Sequence, residues 1–301
     1  MVHNRSMGRW REATLDATAT GGRMLHDADL PAAAKLCARL PVESVLAANR
    51  IDAVLRSGLS TSGGQLWGFE TDGELRAVCW AGANLVPVVP PGAESALDAF
   101  AALARAQGRR CSSIVGESGA ALGLWARLSP VWSRPREIRA NQPSLAIDHE
   151  PLVEPDPFVR RSLAAEYDLI LPACVQMFTE EVGYSPASGV NGPYETRVRS
   201  LIAEDRSFVR FVRGTDGVEV AFKAELGAVA GGVAQVQGVW VAPALRGRGL
   251  SEQGMAAVVA MTRADVAPTV SLYVNDYNTR ALAAYFRVGF RQVGTFATVL
   301  F

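Results

Sequence analysis

The sequence has few of the residues that metal sites and histidine-based catalysis require. It contains three histidines and four cysteines among 301 residues, and neither type shows the short spacing typical of metal ligands. We therefore expect no metal cofactor and no catalytic triad built on histidine. Isolated cysteines of this kind are typical of buried thiols in a reducing compartment. They are Cys37, Cys79, Cys111 and Cys174.

The sequence also lacks a charge excess and a long apolar segment. Lys+Arg and Asp+Glu both number 30, so the net charge does not favour binding to nucleic acid or to a membrane surface. No apolar run reaches the length of a bilayer span. Residues 1–23 are polar and rich in Gly and Thr, unlike a secretion signal. We predict a cytoplasmic globular protein with a disordered leader over residues 1–23 and no nucleic-acid or membrane partner.

Residues 237–251 combine a buried strand, a basic glycine-rich turn and the start of a helix. An apolar, β-branched run predicts the strand, and Pro243 ends it because proline has no N–H for the ladder. The turn Arg246-Gly247-Arg248-Gly249 precedes a helical stretch from Ser251 to Arg263. Glycines let phosphate approach the backbone, and the free N–H groups and dipole of a helix start favour an anion. The segment therefore predicts a phosphate-binding site.

This turn resembles the acyl-CoA pyrophosphate loop of the GNAT N-acetyltransferase superfamily, Gln/Arg-x-x-Gly-x-Gly/Ala. Arg246, Gly249 and Ser251 occupy its three defining positions. Ser251 departs from the usual Gly or Ala, but its side chain is small and its hydroxyl suits a helix start.

A second segment resembles the other signature of the same superfamily, Asn-x-x-Ala-x-x-x-Tyr-x-x-x-Gly-Phe. It follows the first by one predicted strand and one turn, as in the superfamily. The matching residues are Asn278, Ala281, Tyr285, Gly289 and Phe290. Two signatures in the correct order are much harder to obtain by chance than either alone.

The resemblance implies acetyl-CoA, or another acyl-CoA, as co-substrate. It also implies that backbone N–H groups of the strand before the loop hold the acyl carbonyl. The helix start would hold the pyrophosphate, and Asn278 would be a helix N-cap, a ligand to the cofactor, or both. The implied cofactor-binding residues are Val239, Trp240, Val241, Arg246, Gly247, Arg248, Gly249, Leu250, Ser251 and Asn278.

Catalysis of acetyl transfer requires a proton donor for the departing thiolate. The resemblance places Tyr285 in that role, and a phenol of pKa about 10 is a competent donor to a thiolate. The alternative is that Tyr285 is only a core residue of its helix.

The general base is left open by the sequence. Relatives carry a glutamate on the strand before the loop, whereas residues 233–241 hold only Gln235 and Gln237 among polar side chains. Candidates for the proton acceptor or the amine site are Glu225 on the preceding predicted strand, Glu181 with its neighbour Glu180 near a helix end, or an ordered water.

The order of predicted elements repeats in the two halves. Each half reads as helices, a hairpin, a strand, a helix, a strand and a helix, with hairpin turns at residues 71–73 and 215–217. At the place of the phosphate turn the first half carries Pro90 to Glu94, with no arginine and with a carboxylate that would repel phosphate. We therefore expect a degenerate GNAT-like domain over residues 24–140, a linker over 141–157 and the catalytic domain over 158–301.

The predicted fold class is α/β of the α+β type, with two tandem GNAT-like domains. Each would be a mixed, mostly antiparallel twisted sheet flanked by helices. The resemblance implies an N-acetyltransferase acting on a small-molecule amine or a peptide, as a monomer or homodimer. The alternatives are a protein acetyltransferase acting on lysine or an N-terminus, a non-catalytic acyl-CoA-binding module, and a biosynthetic enzyme with two GNAT domains. The segment 183–192 is a candidate acceptor lid.

Overall fold

The computed structural model describes residues 21–187, 192–214 and 217–301. The chain divides into two compact units. The first contains the chain up to Ser144 together with Gly294–Phe301, and the second contains Leu145–Val293.

Both units contain strands and helices, which are numbered β1–β12 and α1–α8 in chain order. The strands are β1 (Gly22–Met24), β2 (Gln65–Thr71), β3 (Glu74–Ala81), β4 (Asn84–Val88), β5 (Ser113–Glu117), β6 (Glu137–Ile147), β7 (Arg160–Arg161), β8 (Ser207–Gly214), β9 (Gly217–Ala230), β10 (Val233–Val241), β11 (Thr269–Tyr273) and β12 (Arg291–Leu300). The helices are α1 (Leu30–Cys37), α2 (Pro41–Ser57), α3 (Ala96–Gln107), α4 (Ser118–Leu128), α5 (Tyr167–Val182), α6 (Pro193–Ala203), α7 (Leu250–Asp265) and α8 (Thr279–Val288).

The first unit is a mixed sheet in the order β1-β2-β3-β4-β5-β12-β6, with helices packed on it. The predicted hairpin is confirmed, since β2 and β3 are antiparallel and Thr71 pairs with Glu74. Asp72 and Gly73 both have positive φ, as the tight hairpin turn requires. The alanine-rich α3 buries Phe100 and its small neighbours against the sheet, because alanines allow close approach of helix and strands.

The second unit contains a sheet in the order β11-β10-β9-β8-β7. Strand β10 is antiparallel to β9 and parallel to β11. Helix α7 covers one face, where Gly254 lies directly on the ring of Phe222 and a side chain in its place would clash. This face is closed by apolar residues of β9, β10, α7 and α8, so the segments carrying both signatures share one core.

The domain boundaries differ from the sequence prediction in three places. Residues 22 and 23 of the expected leader belong to β1, where the Arg23 guanidinium bonds Asp29 and Glu70. Residues 1–20 lie outside the described part. Residues 141–147 of the expected linker belong to β6, and Leu145 and Ile147 are fully buried.

The third difference concerns the end of the chain. Phe296–Leu300 pair antiparallel with Glu117–Ser113 of β5, so this strand belongs to the first unit and not to the second. A linear reading of the sequence assigns each segment to its neighbours in the chain. Strand pairing is set instead by side-chain packing across distant segments, and this is why the boundary was misplaced.

All four cysteines are buried and free, as expected for structural thiols. Within the described ranges no helix has the length and apolar character needed to cross a bilayer. The same residues contain no group of three or more His, Cys, Asp or Glu side chains suited to a metal ion.

Candidate active site

Strand β10 separates from β11 and bulges away from β9 just before the glycine-rich turn. The pairing with β11 covers only Val233–Gln235. The register with β9 then shifts, because Gln237 lies opposite Glu225 whereas Trp240 lies opposite Lys223. Gly238 in this bulge has φ +60°, a conformation that favours glycine. Beyond Gln235 the β10 edge is therefore not covered by β11, which leaves it available to an extended ligand.

The three expected carbonyl-binding residues alternate across β10. The side chain of Trp240 is buried in a cluster with α5 and α6, and its indole Nε1 has no hydrogen-bond partner in the described part. Val239 and Val241 pack against the other core, beneath α7 and α8. Their side chains are thus structural, and any contact with an acyl group would come from the backbone.

The basic turn opens onto the start of α7. Gly247 and Gly249 both have φ +79°, and an added Cβ at either would meet nothing within 4 Å. The Gly249 carbonyl accepts hydrogen bonds from Glu252 and Gln253. In contrast, the amides of Gly249 and of the first two helical residues, Leu250 and Ser251, have no acceptor among the described residues. These N–H groups form an exposed anion-binding helix start.

The two arginines of the turn have different environments. The Arg246 guanidinium donates to the Val241 carbonyl at 3.0 Å and to the Glu180 carboxylate at 2.6 Å. Arg248 is exposed and has no hydrogen bond or ion pair with any described residue. Arg248 is thus the arginine whose charge is available to a phosphate, whereas Arg246 ties the turn to the end of α5.

Asn278 is the N-cap of α8. Its Oδ1 accepts a hydrogen bond from the amide of Ala281 at 3.2 Å, which is the usual role of asparagine at this position. Asn278 is therefore a helix N-cap, as one of the two expected roles requires. Its contact with the cofactor stays a prediction.

Tyr285 lies in the core of the second unit, with only 6% of its surface exposed. Its ring packs edge-on against Phe290 at a centroid distance of 5.9 Å. Burial, reinforced by the negative charge of Glu181, raises the pKa of the phenol above its ordinary value near 10. The hydroxyl has no hydrogen-bond partner in the described part of the chain, and it keeps its proton at neutral pH.

Glu225 forms a buried ion pair beneath the β10 bulge. The Lys223 ammonium, which is fully buried, donates to Glu225 Oε1 at 2.7 Å and to the Gly238 carbonyl at 3.1 Å. The Cys174 thiol lies 3.6 Å from the same carboxylate oxygen, and the Arg197 guanidinium lies 3.8 Å from the other. Both oxygens of Glu225 are therefore already engaged.

Each member of this pair favours the charged form of the other. Burial acts to raise the pKa of Glu225, but the nearby charges of Lys223 and Arg197 outweigh it and leave the pKa below its usual value. Burial acts to lower the pKa of Lys223, and Glu225 outweighs it in the opposite direction. Both groups are thus charged at neutral pH, and the ionised Glu225 is a weak proton acceptor.

A further tyrosine, Tyr194, which the sequence reading missed, lies within electrostatic range of Glu225 and Glu181. The Tyr194 hydroxyl, on α6, donates to the Cys174 carbonyl at 2.8 Å. Its pKa is raised by burial and by the charges of Cys174, Glu225 and Glu181, against an opposing effect of Arg197. Glu181 is thus close enough to act electrostatically on Tyr194 and on Tyr285.

Lys223 and Arg197 were also missed by the sequence reading. Lys223 could have been found from the sequence, because it stands two residues before Glu225 in the same strand, and residues at that spacing share one face. Tyr194 and Arg197 carried none, since they are brought to the site only by the packing of α6 on β9. Gln235 on β10 is 1% exposed, and its Nε2 has no hydrogen-bond partner in the described part.

Comparisons with known proteins match the two parts of the chain separately. Residues 183–290 match the acetyltransferase (GNAT) family. Residues 64–170 match a domain of unknown function, DUF4081. No curated protein matches the sequence.

Solved structures share the fold at low sequence identity. A Drosophila protein has a TM-score of 0.63 at 13% identity, covering 93% of this chain and 98% of that one. A GCN5-related N-acetyltransferase from Sphaerobacter thermophilus has a TM-score of 0.56 at 17% identity, with 93% and 95% covered. A tandem GNAT protein from the clavulanic acid biosynthesis pathway has a TM-score of 0.50 at 14% identity, with 93% and 98% covered. The predicted α/β fold of the tandem GNAT type is confirmed.

Proposed function

Because its C-terminal half carries a domain of the GNAT acetyltransferase family, we propose that this protein transfers an acetyl group from acetyl-CoA to a primary amine by direct attack. The observation that carries the proposal is the open helix start at Gly249–Ser251, reached by the uncovered edge of β10. The amide groups there would bind the pyrophosphate, and Arg248 would add a positive charge.

The acyl donor would lie along β10. The strand edge beyond Gln235 is uncovered by β11, so the amide-rich pantetheine arm would pair with it as an added strand. Backbone N–H groups near Val239 would then polarise the thioester carbonyl. The bulge at Gly238 fixes where those groups point, and Lys223 holds the bulge by its bond to the Gly238 carbonyl.

In the chemical step the amine nitrogen attacks the thioester carbonyl carbon, a C–N bond forms and the C–S bond breaks. Tyr285 would donate its proton to the departing thiolate. Its raised pKa keeps that proton in place at neutral pH, but it also makes the phenol a weaker acid than a thiol of pKa about 8.5–10. Binding of the donor would therefore have to lower the pKa of the phenol again for the transfer to be complete.

The amine would be received at the α5 side of the site. A primary amine of pKa about 10 arrives as ammonium and must lose a proton before it attacks. Glu181 is near enough to Tyr285 and to Tyr194 to raise the pKa of both phenols, and on that ground we assign this carboxylate to the amine. Glu225 is engaged by Lys223 and Arg197. Glu225 would then serve to hold Lys223 and not to accept the proton.

Turnover of Tyr285→Phe tests the general acid. Thiol release from acetyl-CoA would be measured with a panel of small amines, a lysine peptide and an N-terminal peptide. Positioned proton transfer is worth about 100-fold or more, so kcat should fall by about that factor with acetyl-CoA affinity unchanged. Tyr277→Phe, at an exposed tyrosine near the start of α8, is the matched control. An unchanged kcat in Tyr285→Phe would leave this tyrosine as a core residue only.

The panel also separates the alternatives. Turnover on peptides alone would identify a protein acetyltransferase. Acetyl-CoA binding without turnover on any amine would favour a non-catalytic acyl-CoA-binding module, which the amide at Gln235 in place of a carboxylate also suggests.

A pair of adjacent variants tests the amine site. Glu181→Gln should remove the acidic limb of the pH–rate profile, because that limb reports protonation of the base. Glu180→Gln should preserve the limb and change only the acetyl-CoA affinity, through Arg246. An acidic limb that survives in Glu181→Gln would exclude Glu181 from this role.

A further inference from the structure

The first unit contains a cavity of about 290 Å³, near the lower limit for small-molecule sites. It lies at the start of β2 and β4 and at the end of β3 and α3. The turn that corresponds to the phosphate turn, Pro90–Glu94, follows the opposite end of β4 and contributes nothing to it. The lining residues are Gly63, Gly64, Gln65, Trp67, Ala81, Gly82, Ala83, Leu85, Ala104, Gln107, Gly108, Arg110, Cys111 and Trp132.

The floor of the cavity is apolar and rigid. Trp67, Ala81, Leu85 and Ala104 are all almost fully buried members of the core of this unit. The two small alanines leave the space that larger residues would fill. The accessible surface of the cavity is more polar than apolar, so the groups at its rim would supply most of the contacts with a ligand.

The polar rim offers hydrogen-bond donors. The indole Nε1 of Trp67 donates to Gln65 Oε1 at 3.1 Å. Because an indole N–H can only donate, it fixes the orientation of the Gln65 amide. The Nε2 group of Gln65 is therefore the free end of this amide, and it is a donor.

Arg110 supplies the charge. Its guanidinium has no hydrogen bond or ion pair within the described ranges. Its neighbour Arg109 is engaged, since it donates to the Cys111 carbonyl and lies over the ring of Phe301. No Asp or Glu is among the lining residues. The residues around the cavity thus include an exposed arginine without a charged partner in the described part and a free amide donor.

The glycines around the rim have a separate explanation. A Cβ at Gly64 or Gly82 would clash with the indole of Trp80, and Gly63 and Gly108 have positive φ. They serve local packing and turns, so the evidence for a ligand is the apolar floor together with Arg110 and Gln65.

We propose that this cavity binds a small organic carboxylate, independently of the transferase site of the second unit. The carboxylate would bind the Arg110 guanidinium and the Nε2 group of Gln65. The apolar body of the ligand would lie on Trp67 and Leu85, beside the half-buried ring of Trp132. The planar guanidinium is the side chain best suited to a carboxylate, and the volume limits the ligand to about the size of a single-ring acid.

The test is calorimetric titration of the full chain with benzoate, with benzamide and inorganic phosphate as comparison probes. Benzoate should bind saturably and at least ten-fold more tightly than benzamide, its neutral counterpart. Arg110→Met should weaken benzoate binding at least ten-fold. Arg39→Met removes an exposed arginine of the same unit that has no side-chain partner in the described part, and it should bind benzoate like the wild type.

Three results would overturn the proposal. These are no saturable binding of benzoate, equal binding of benzoate by Arg110→Met and the wild type, or binding of phosphate without benzoate. Gln65→Leu removes the amide without touching a charge and should weaken benzoate binding about three-fold or more; wild-type affinity in that variant would exclude Gln65 from the contact. Acetyl-CoA titration of the same variants should be unchanged, which separates this site from the transferase site.

Discussion

The two units carry different turns at the same place in their element order, after the fourth strand of each unit and before a helix. In the second unit the turn is open, since Gly247 and Gly249 have positive φ and the helix start has unbonded amides. In the first unit the turn closes on itself. Glu94 accepts a hydrogen bond from the Gly92 amide at 3.0 Å, and the amides of Ala93 and Ala96 bond to carbonyls within the turn.

The difference shows how one architecture either offers or withholds an anion site. A carboxylate that occupies the amides of its own turn acts as an internal anion, and it repels a phosphate. Removing it and adding arginine opens the same geometry to a ligand. The presence of the fold alone therefore says little about which unit binds acyl-CoA.

The two units also differ in the charged residues that they bury. Every charged residue that is buried in the described part belongs to the second unit. The Lys223–Glu225 pair among them contacts the bulge of β10, the strand that would hold the acyl donor. Lys35 and Lys223 are the only lysines in the sequence. A buried ion pair is a poor source of stability, so its place next to the bulge indicates a positioning role.

Breaking the ion pair should have the largest effect on stability. Lys223→Met leaves Glu225 buried without its main partner, and it should lower the free energy of unfolding of the second unit by about 3–5 kcal/mol. The double variant, Lys223→Met with Glu225→Leu, replaces both charges by apolar side chains. It should recover most of the lost free energy of unfolding. Urea denaturation measures both. If the single and double variants lose the same free energy of unfolding, an unpaired Glu225 is not the cause of the loss.

The pair also gives the stability a definite pH dependence. The pKa of Glu225 is lowered in the folded state, so its contribution is present above the unfolded pKa near 4.5 and is lost as the pH falls through the lower folded value. Wild-type stability should therefore decline below about pH 4.5 more steeply than that of the double variant. Parallel declines in the two proteins would contradict this assignment.

Matched glycine variants sharpen the comparison of the two turns. Gly249→Leu and Gly92→Leu both force a side chain into positive φ, at +79° and +86°, with open space around the Cβ. The strain cost, about 1–2 kcal/mol, should be similar for both. Gly249→Leu should weaken acetyl-CoA binding about 100-fold, because the side chain also occupies the place of the pyrophosphate; this factor corresponds to about 2.7 kcal/mol. Gly92→Leu should leave the acetyl-CoA affinity unchanged. A similar loss of acetyl-CoA affinity in both variants would contradict the assignment of the donor site to the turn of the second unit.

The smallest effect is expected at Asn278. Asn278→Ala removes the N-cap of α8 and should cost about 1 kcal/mol in stability. Asn278→Asp keeps the cap and should cost little. If Asn278 also binds the cofactor, acetyl-CoA affinity will fall in both variants; a fall in stability alone, in Asn278→Ala only, would leave this residue as a cap.

Much of the site was predictable because it is encoded locally. The turn at residues 246–249, the N-cap at Asn278 and the hairpin at Asp72-Gly73 each follow from the conformational preferences of adjacent residues. The bulge at Gly238, the ion pair of Lys223 and the approach of Tyr194 depend on register and on packing between distant segments, which a single sequence does not display. The same limit explains why residues 294–301 were assigned to the wrong unit and why the strand at residues 141–147 was taken for a linker.

The most direct test of the account is the stoichiometry of acetyl-CoA binding to the full chain by calorimetric titration. The open turn in one unit and the self-bonded turn in the other predict one bound acetyl-CoA per chain, with binding abolished or strongly weakened by Gly249→Leu. Two bound molecules per chain, or no binding at all, would contradict the assignment of the donor site to the second unit.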